Sequence, residues 1–134
     1  MIKAIAIDDE PPALKVIESF CSQAENIELE KTFTSPNEAL KYLRKFPVDL
    51  IFLDINMPSI TGIDFYKSLE RETMVIFTTA YSEYAVEGFN LNAVDYLLKP
   101  FTQERFQQPI KKANDFYSYS RQVPGTINQS LYIR

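Results

Sequence analysis

Ile2 to Ile7 is a nearly continuous apolar run, the pattern of a strand covered on both faces. Pro11-Pro12 then open a segment with Leu14, Ile17, Cys21 and Ala24 at helical spacing, and proline suits a first helical turn. Ile27, Leu29 and Phe33 alternate with Glu28, Glu30 and Thr32, which predicts a strand with one wetter face, at a sheet edge. Ser35-Pro36-Asn37-Glu38 is a capping box with proline at the first helical position. Ala39, Leu40, Leu43 and Phe46 continue that helix, and Pro47 ends it. Val48 to Leu53 predicts a third strand, followed by a loop at Met57-Pro58. Ile63, Tyr66 and Leu69 mark a short helix, Met74 to Phe77 a fourth strand, and Ser82 to Phe89 a weakly patterned helix. Ala93 to Leu98 predicts a fifth strand, and Thr102 caps a last helix carrying Phe106, Ile110 and Ala113. Pro109 falls inside that helix, where it is expected to kink or shorten it.

Strands alternating with helical segments argue an α/β fold, a doubly wound five-stranded parallel sheet, because parallel neighbours need crossover helices. The pattern stops near Ser118. The stretch from Ser118 to Gln129 is polar, with Pro124-Gly125 in its middle, and reads as a linker. Ser130 to Arg134 has the alternation of a strand that has just begun.

Length and composition narrow the function classes. The 134 residues suit one domain, and 46% hydrophobic with 24% charged residues excludes wholesale disorder. A net charge of -4 argues against nucleic-acid binding by this chain alone. With one cysteine, Cys21, no intramolecular disulfide can form, and a cytoplasmic location is expected. No apolar run approaches the roughly 18 residues of a membrane span, and the first residues lack the order of a signal peptide. The absence of histidine removes mechanisms that need an internal imidazole.

Polar residues collect where the predicted strands end. The first strand delivers Asp8-Asp9-Glu10, the third Asp54 followed by Asn56, the fourth Thr78-Thr79, and the fifth Lys99-Pro100. Ligands of open parallel sheets sit beyond the carboxyl ends of the strands. Each residue alone could be a strand-end cap. Together, three carboxylates and an ammonium at one edge predict a functional cluster. Crowded carboxylates repel one another unless a cation sits among them. With oxygen donors only, a hard ion is selected, and Mg²⁺ is the candidate. Mg²⁺ takes few carboxylates, which leaves one acid free as a nucleophile towards a phosphoryl group. A lysine and a hydroxyl would hold the phosphoryl oxygens.

Ile7-Asp8-Asp9-Glu10, Phe52-Leu53-Asp54-Ile55-Asn56-Met57-Pro58, Thr79-Ala80 and Leu98-Lys99-Pro100-Phe101 resemble the signature of the receiver domain of two-component response regulators. The resemblance covers roughly residues 1–117 and implies the CheY-like (flavodoxin-like) strand order 2-1-3-4-5. The stretch from Tyr81 to Phe89, with Ala93 to Phe101, resembles the LytR/AlgR subfamily, whose receivers precede a LytTR DNA-binding domain. Residues 118–134 are then expected to be a linker and the start of that domain, within a longer protein that binds DNA and regulates transcription.

The resemblance implies the following roles. Asp54 is the phosphoacceptor, Asp9 a direct Mg²⁺ ligand, and Asp8 a ligand through water. The Asn56 backbone carbonyl completes the set, and its side chain faces the phosphoryl group. Lys99 contacts a phosphate oxygen, and a cis bond before Pro100 turns it into the site. Thr79 is the switch hydroxyl and Thr78 the weaker candidate, since alternate strand residues face opposite ways. Glu10 is read as a solvated loop acid and Cys21 as core. Tyr96 is the switch aromatic. The donor is a sensor histidine kinase, and chemistry is limited to Mg²⁺-dependent self-phosphorylation and slow self-dephosphorylation, so no enzyme in the usual sense is expected. Tyr81, beside the attacking water, is expected to prolong the phosphorylated state. A homodimer is expected through the helix at 82–89, the fifth strand and the last helix. A haloacid-dehalogenase-like phosphatase is disfavoured, since it would carry an acid where Asn56 stands. A flavodoxin-like flavin binder is disfavoured by the acidic first loop, and a partner-binding pseudo-receiver by the filled acid, lysine and threonine positions.

Overall fold

In the computed structural model, which describes residues 1–81 and 93–122, the apolar runs form a sheet and the amphipathic segments cover it. The elements in chain order are β1 (Ile2–Ile7), α1 (Pro11–Ser22), β2 (Ile27–Phe33), α2 (Pro36–Lys45), β3 (Leu50–Asp54), α3 (Gly62–Lys67), β4 (Met74–Thr79), β5 (Asp95–Leu98) and α4 (Gln103–Gln122). All strand pairs are parallel, in the order β2-β1-β3-β4-β5. The expected doubly wound sheet and its order are therefore observed. The helix expected over 82–89 and the strand expected at 130–134 lie outside the described residues.

Alternation sorts the strands into two apolar layers. Ala4, Ala6, Phe52, Ile76 and Leu97 pack with Leu14, Ile17 and Cys21 of α1 and with Phe106, Ile110 and Ala113 of α4. Ile5, Ile7, Ile51, Leu53, Val75 and Phe77 pack on the other face with Ala39 of α2 and Phe65 of α3. The three central strands are buried almost throughout, whereas β2 is buried only at Ile27 and Phe33 and is partly or fully exposed between them, as an edge strand should be. Its register against β1 slips between Ala4 and Ile5, where Leu29 and Lys31 are successive partners and Glu30 is passed over.

Short-range chemistry sets the helix starts. Ser35 Oγ accepts from Glu38 N (3.3 Å), Thr61 Oγ1 from Asp64 N (3.1 Å), and Thr102 Oγ1 from Arg105 N (3.0 Å), each satisfying a first-turn donor. Two expectations are corrected at helix ends. Phe46 lies one residue past α2 and is 53% exposed. The last helix continues to Gln122, past the expected linker start at Ser118. The polar residues from 118 to 122 contain no helix breaker, and the first one comes at Pro124.

Pro109 does not shorten the helix: α4 is 20 residues long with Pro109 inside it. The Pro109 ring is buried, at helical spacing from Phe106 and Ala113 on the core-facing side. Burial of the ring there offsets the one backbone hydrogen bond that proline cannot make.

Candidate functional site

Alternation also decides where the polar strand ends point. Ala6, Phe52, Ile76 and Leu97 all lie in the layer under α1 and α4, so residues two positions on, Asp8, Asp54, Thr78 and Lys99, leave the sheet on that same face. Asp8 is fully buried and Asp54 is 3% exposed. Lys99 joins them, with its Nζ 2.8 Å from Asp8 Oδ2 and 3.3 Å from Asp54 Oδ1. Asp9, half-buried in the following loop, brings a third carboxylate, and oxygens of Asp8, Asp9 and Asp54 lie within 4.8 Å of one another. Asp8 Oδ1 also accepts from Glu10 N (2.9 Å), while Glu10 itself is exposed. The peptide bond between Lys99 and Pro100 is cis.

The electrostatics of the cluster are unbalanced. Burial, and then the charge of Asp8, push the Asp54 carboxyl up from 3.8 to about 6, against the opposing pull of Lys99. Burial would lower the Lys99 ammonium, but its hydrogen bond to Asp8 and the charges of Asp54 and Asp8 hold it above the usual lysine value. One ammonium among three acids leaves uncompensated negative charge in a poorly solvated place. Every donor is oxygen. That donor set fits a hard divalent cation such as Mg²⁺, which needs only one or two carboxylates and completes its shell with water or phosphate oxygens.

Thr79 sits at the end of β4 and is buried. Its hydroxyl donates to Asn56 Oδ1 (3.2 Å) and accepts from Tyr81 N (3.1 Å). Asn56 and Tyr81 are exposed, Tyr81 by 51%. By alternation Thr78 faces the other way, and it is Thr78 that shares the face of Asp54, its partner across β3 and β4. The Tyr96 ring is half-buried and stacks on Phe77 (centroids 5.2 Å apart, planes at 27°). Cys21 is buried between α1 and the sheet, and burial pushes its thiol up to about 12, as the core assignment requires.

Two features of the site were not anticipated from sequence. Gly62, at the start of α3, packs against the end of β3. Its N–H donates to Ile55 O (2.8 Å), and a Cβ on it would lie 2.2 Å from the backbone oxygen of Asp54. Only glycine allows that approach. The second feature is a charge cluster behind Tyr96. Arg105 Nη1 (3.3 Å) and Lys112 Nζ (3.2 Å) converge on Asp95 Oδ2, and Arg105 Nη2 donates to Tyr96 O (2.8 Å). A signal existed: Arg105 lies in the first turn of a capped helix, seven residues before Lys112, so both occupy one helical face.

The model of the response regulator receiver domain family matches residues 4–111. The sensory transduction protein LytR of Staphylococcus epidermidis is 36% identical over 129 residues, covering 94% of this chain and 51% of that protein. The chain spans about half the length of the curated relatives it matches. Among solved structures, the response regulatory domain of protein mrkE from Klebsiella pneumoniae superposes with a TM-score of 0.80 at 31% identity, covering 88% of this chain and 99% of that one. The response regulator protein TrrA of Thermotoga maritima, solved in complex with Mg²⁺-BeF, gives a TM-score of 0.73 at 28% identity, covering 84% and 99%.

Proposed function

We propose, for a chain that belongs to the family of response regulator receiver domains, that Asp54 accepts a phosphoryl group from the histidine of a sensor kinase. The observation that carries the reading is Lys99 bridging Asp8 and Asp54, with Asp9 alongside, at the carboxyl edge of the sheet. The chain contains no histidine, so the donor imidazole lies outside these 134 residues. Phosphoryl transfer has a loose, charge-rich transition state, and a receiver contributes mainly position and countercharge. Asp54 Oδ is the nucleophile, Lys99 meets a phosphoryl oxygen, and the Thr79 hydroxyl turns from Asn56 to the same group.

Asp9 directly, Asp8 through water, the Asp54 carboxylate and the Asn56 carbonyl would hold Mg²⁺. When bound, the ion neutralises charge on the phosphoryl oxygens. The solved TrrA complex with Mg²⁺-BeF supports this choice of ion. Movement of Thr79 draws the Tyr96 ring inwards and re-forms the face of β5 and α4, where phosphorylated copies pair. Receiver residues occupy 1–117. Residues 118–134, still helical at first, lead to a LytTR-type DNA-binding domain of a cytoplasmic transcription regulator, a reading supported by the likeness to LytR. Among the described residues no helix is long and apolar enough to cross a membrane.

The test is incubation with a small acyl-phosphate donor, with and without Mg²⁺, followed by intact mass. The expected result is gain of one phosphoryl group by the wild type only with Mg²⁺, and none by Asp54→Asn. Equal gain by Asp54→Asn would overturn the assignment.

A further inference from the structure

Thr78 is 1% exposed, and its buried hydroxyl meets no hydrogen-bonding group among the described residues. A buried hydroxyl without a partner is destabilising, and valine would fill the same space without that penalty. Its surroundings are fixed by register. Thr78 pairs with Asp54 on β3 and with Leu97 on β5. Neighbouring strands lie about 4.8 Å apart, and paired residues project to the same face. Lys99 begins beyond β5 and ends 3.3 Å from Asp54 Oδ1, and β4 lies between those strands. The lysine side chain therefore passes over the carboxyl end of β4, on the face that Thr78 shares. By register the Thr78 side chain leaves the sheet on the same face as Asp54 and Leu97.

We propose that Thr78 is a second hydroxyl of the site, acting on the carboxyl group of Asp54 where Thr79 acts on the phosphoryl group. The inference rests on Asp54 being the phosphoacceptor. In self-dephosphorylation a water oxygen bonds to phosphorus and the bond from phosphorus to Asp54 Oδ breaks. The bonding pair returns to the carboxylate, and both water hydrogens leave with inorganic phosphate. Negative charge thus grows on the Asp54 carboxylate in the transition state. A hydroxyl beneath it donates more strongly there than to the neutral carbonyl of the acyl phosphate, and so speeds departure. In the resting protein the Thr78 hydroxyl makes no hydrogen bond to Asp54 among the described residues.

The experiment compares wild type, Thr78→Val and Thr78→Ser, each phosphorylated by a small acyl-phosphate donor with Mg²⁺, freed of donor, and followed by intact mass. Thr78→Val should lose its phosphoryl group about three- to tenfold more slowly, and Thr78→Ser should stay within about twofold of wild type. The unfolding midpoint of Thr78→Val should equal or exceed that of wild type, because the hydroxyl has no partner at rest. Equal decay of Thr78→Val and wild type, faster decay of Thr78→Val, or slow decay of Thr78→Ser would overturn the inference. A clearly lowered Thr78→Val midpoint would overturn it too, since the hydroxyl would then be an anchor of the resting fold. Failure of wild type to gain mass defeats the reading of Asp54 and this inference with it, whereas equal lifetimes defeat this inference alone.

Discussion

Asp49 precedes β3 and Asp54 ends it. At the amino end of the strand, the backbone and one carboxylate oxygen of Asp49 are held in the backbone lattice. Its N–H donates to Lys3 O (2.8 Å), its carbonyl accepts from Met74 N (3.1 Å), and its Oδ2 accepts from Lys3 N (2.9 Å). Asp49 is a bracket that ties β1, β3 and β4 together at their start. At the carboxyl end, Asp54 is buried among other acids, is held by one lysine, and is pushed up to about 6. The same side chain stabilises the fold at one end of the strand and strains it at the other. The difference is not residue type but whether donors converge on the carboxylate. An acid held against its own solvation is one ready to react with a phosphoryl group or to bind a cation.

Four substitutions test that contrast, in falling order of expected effect. Gly62→Ala forces a methyl group onto the backbone of Asp54 and should destabilise the protein by about 3 kcal/mol or more, measured by denaturant unfolding. An unchanged midpoint would show that the end of β3 is not pinned by that contact. Asp54→Asn acts in the opposite direction. The Asp54 carboxyl is raised, so its contribution to stability is fully present below about pH 4 and is lost as pH rises through about 6. In Mg²⁺-free buffer near pH 8 the neutral variant should be more stable than wild type, by up to a figure on the order of 3 kcal/mol. The gain should vanish below pH 4, and a gain independent of pH would break the comparison. Asp49→Ala should cost about 1 kcal/mol, the value of an exposed backbone hydrogen bond, and leave phosphoryl uptake unchanged by intact mass. Tyr81→Ala opens the approach to the site and should shorten the phosphorylated lifetime a few-fold, about 1 kcal/mol in barrier height. An equal or longer lifetime would refute that role.

Much of this architecture was legible in the sequence because burial is legible. The runs at Ile2–Ile7, nearly continuous, and at Leu50–Leu53 and Met74–Phe77 fit only strands whose two faces are both covered by helices, and the polar residue closing each run marks the carboxyl edge. The order of the strands was not written in the periodicity and came from the motif resemblance. Motifs also brought Asp8, Asp9, Asp54 and Lys99 to one edge, and the folded chain brings them together. The grip of Lys99 on Asp8, tighter than on Asp54, could not be read, because it depends on side-chain reach between strands. Gly62 escaped for a similar reason: a glycine at a helix start looks like a turn until the neighbouring backbone is known. Pro109 does not shorten the last helix as propensity suggested, because propensity counts a lost hydrogen bond and not a buried ring. Ser118 to Gln122 misled because polarity without a breaker does not stop a helix that is already running. The helix read at Ser82 to Phe89 lies outside the described residues.

The slip in register on β2 has a consequence for how the molecule behaves in a crowd. An edge strand is a template for cross-chain β-pairing, and a template works only if it is straight and uncharged. Here the irregularity at Glu30 breaks the repeat, and Glu28, Glu30 and Lys31 line the outer side. The opposite border, β5, has four residues, and Arg105 and Lys112 converge on its first, Asp95. Among the described residues, neither margin of the sheet offers the long, straight, uncharged strand that cross-chain pairing needs.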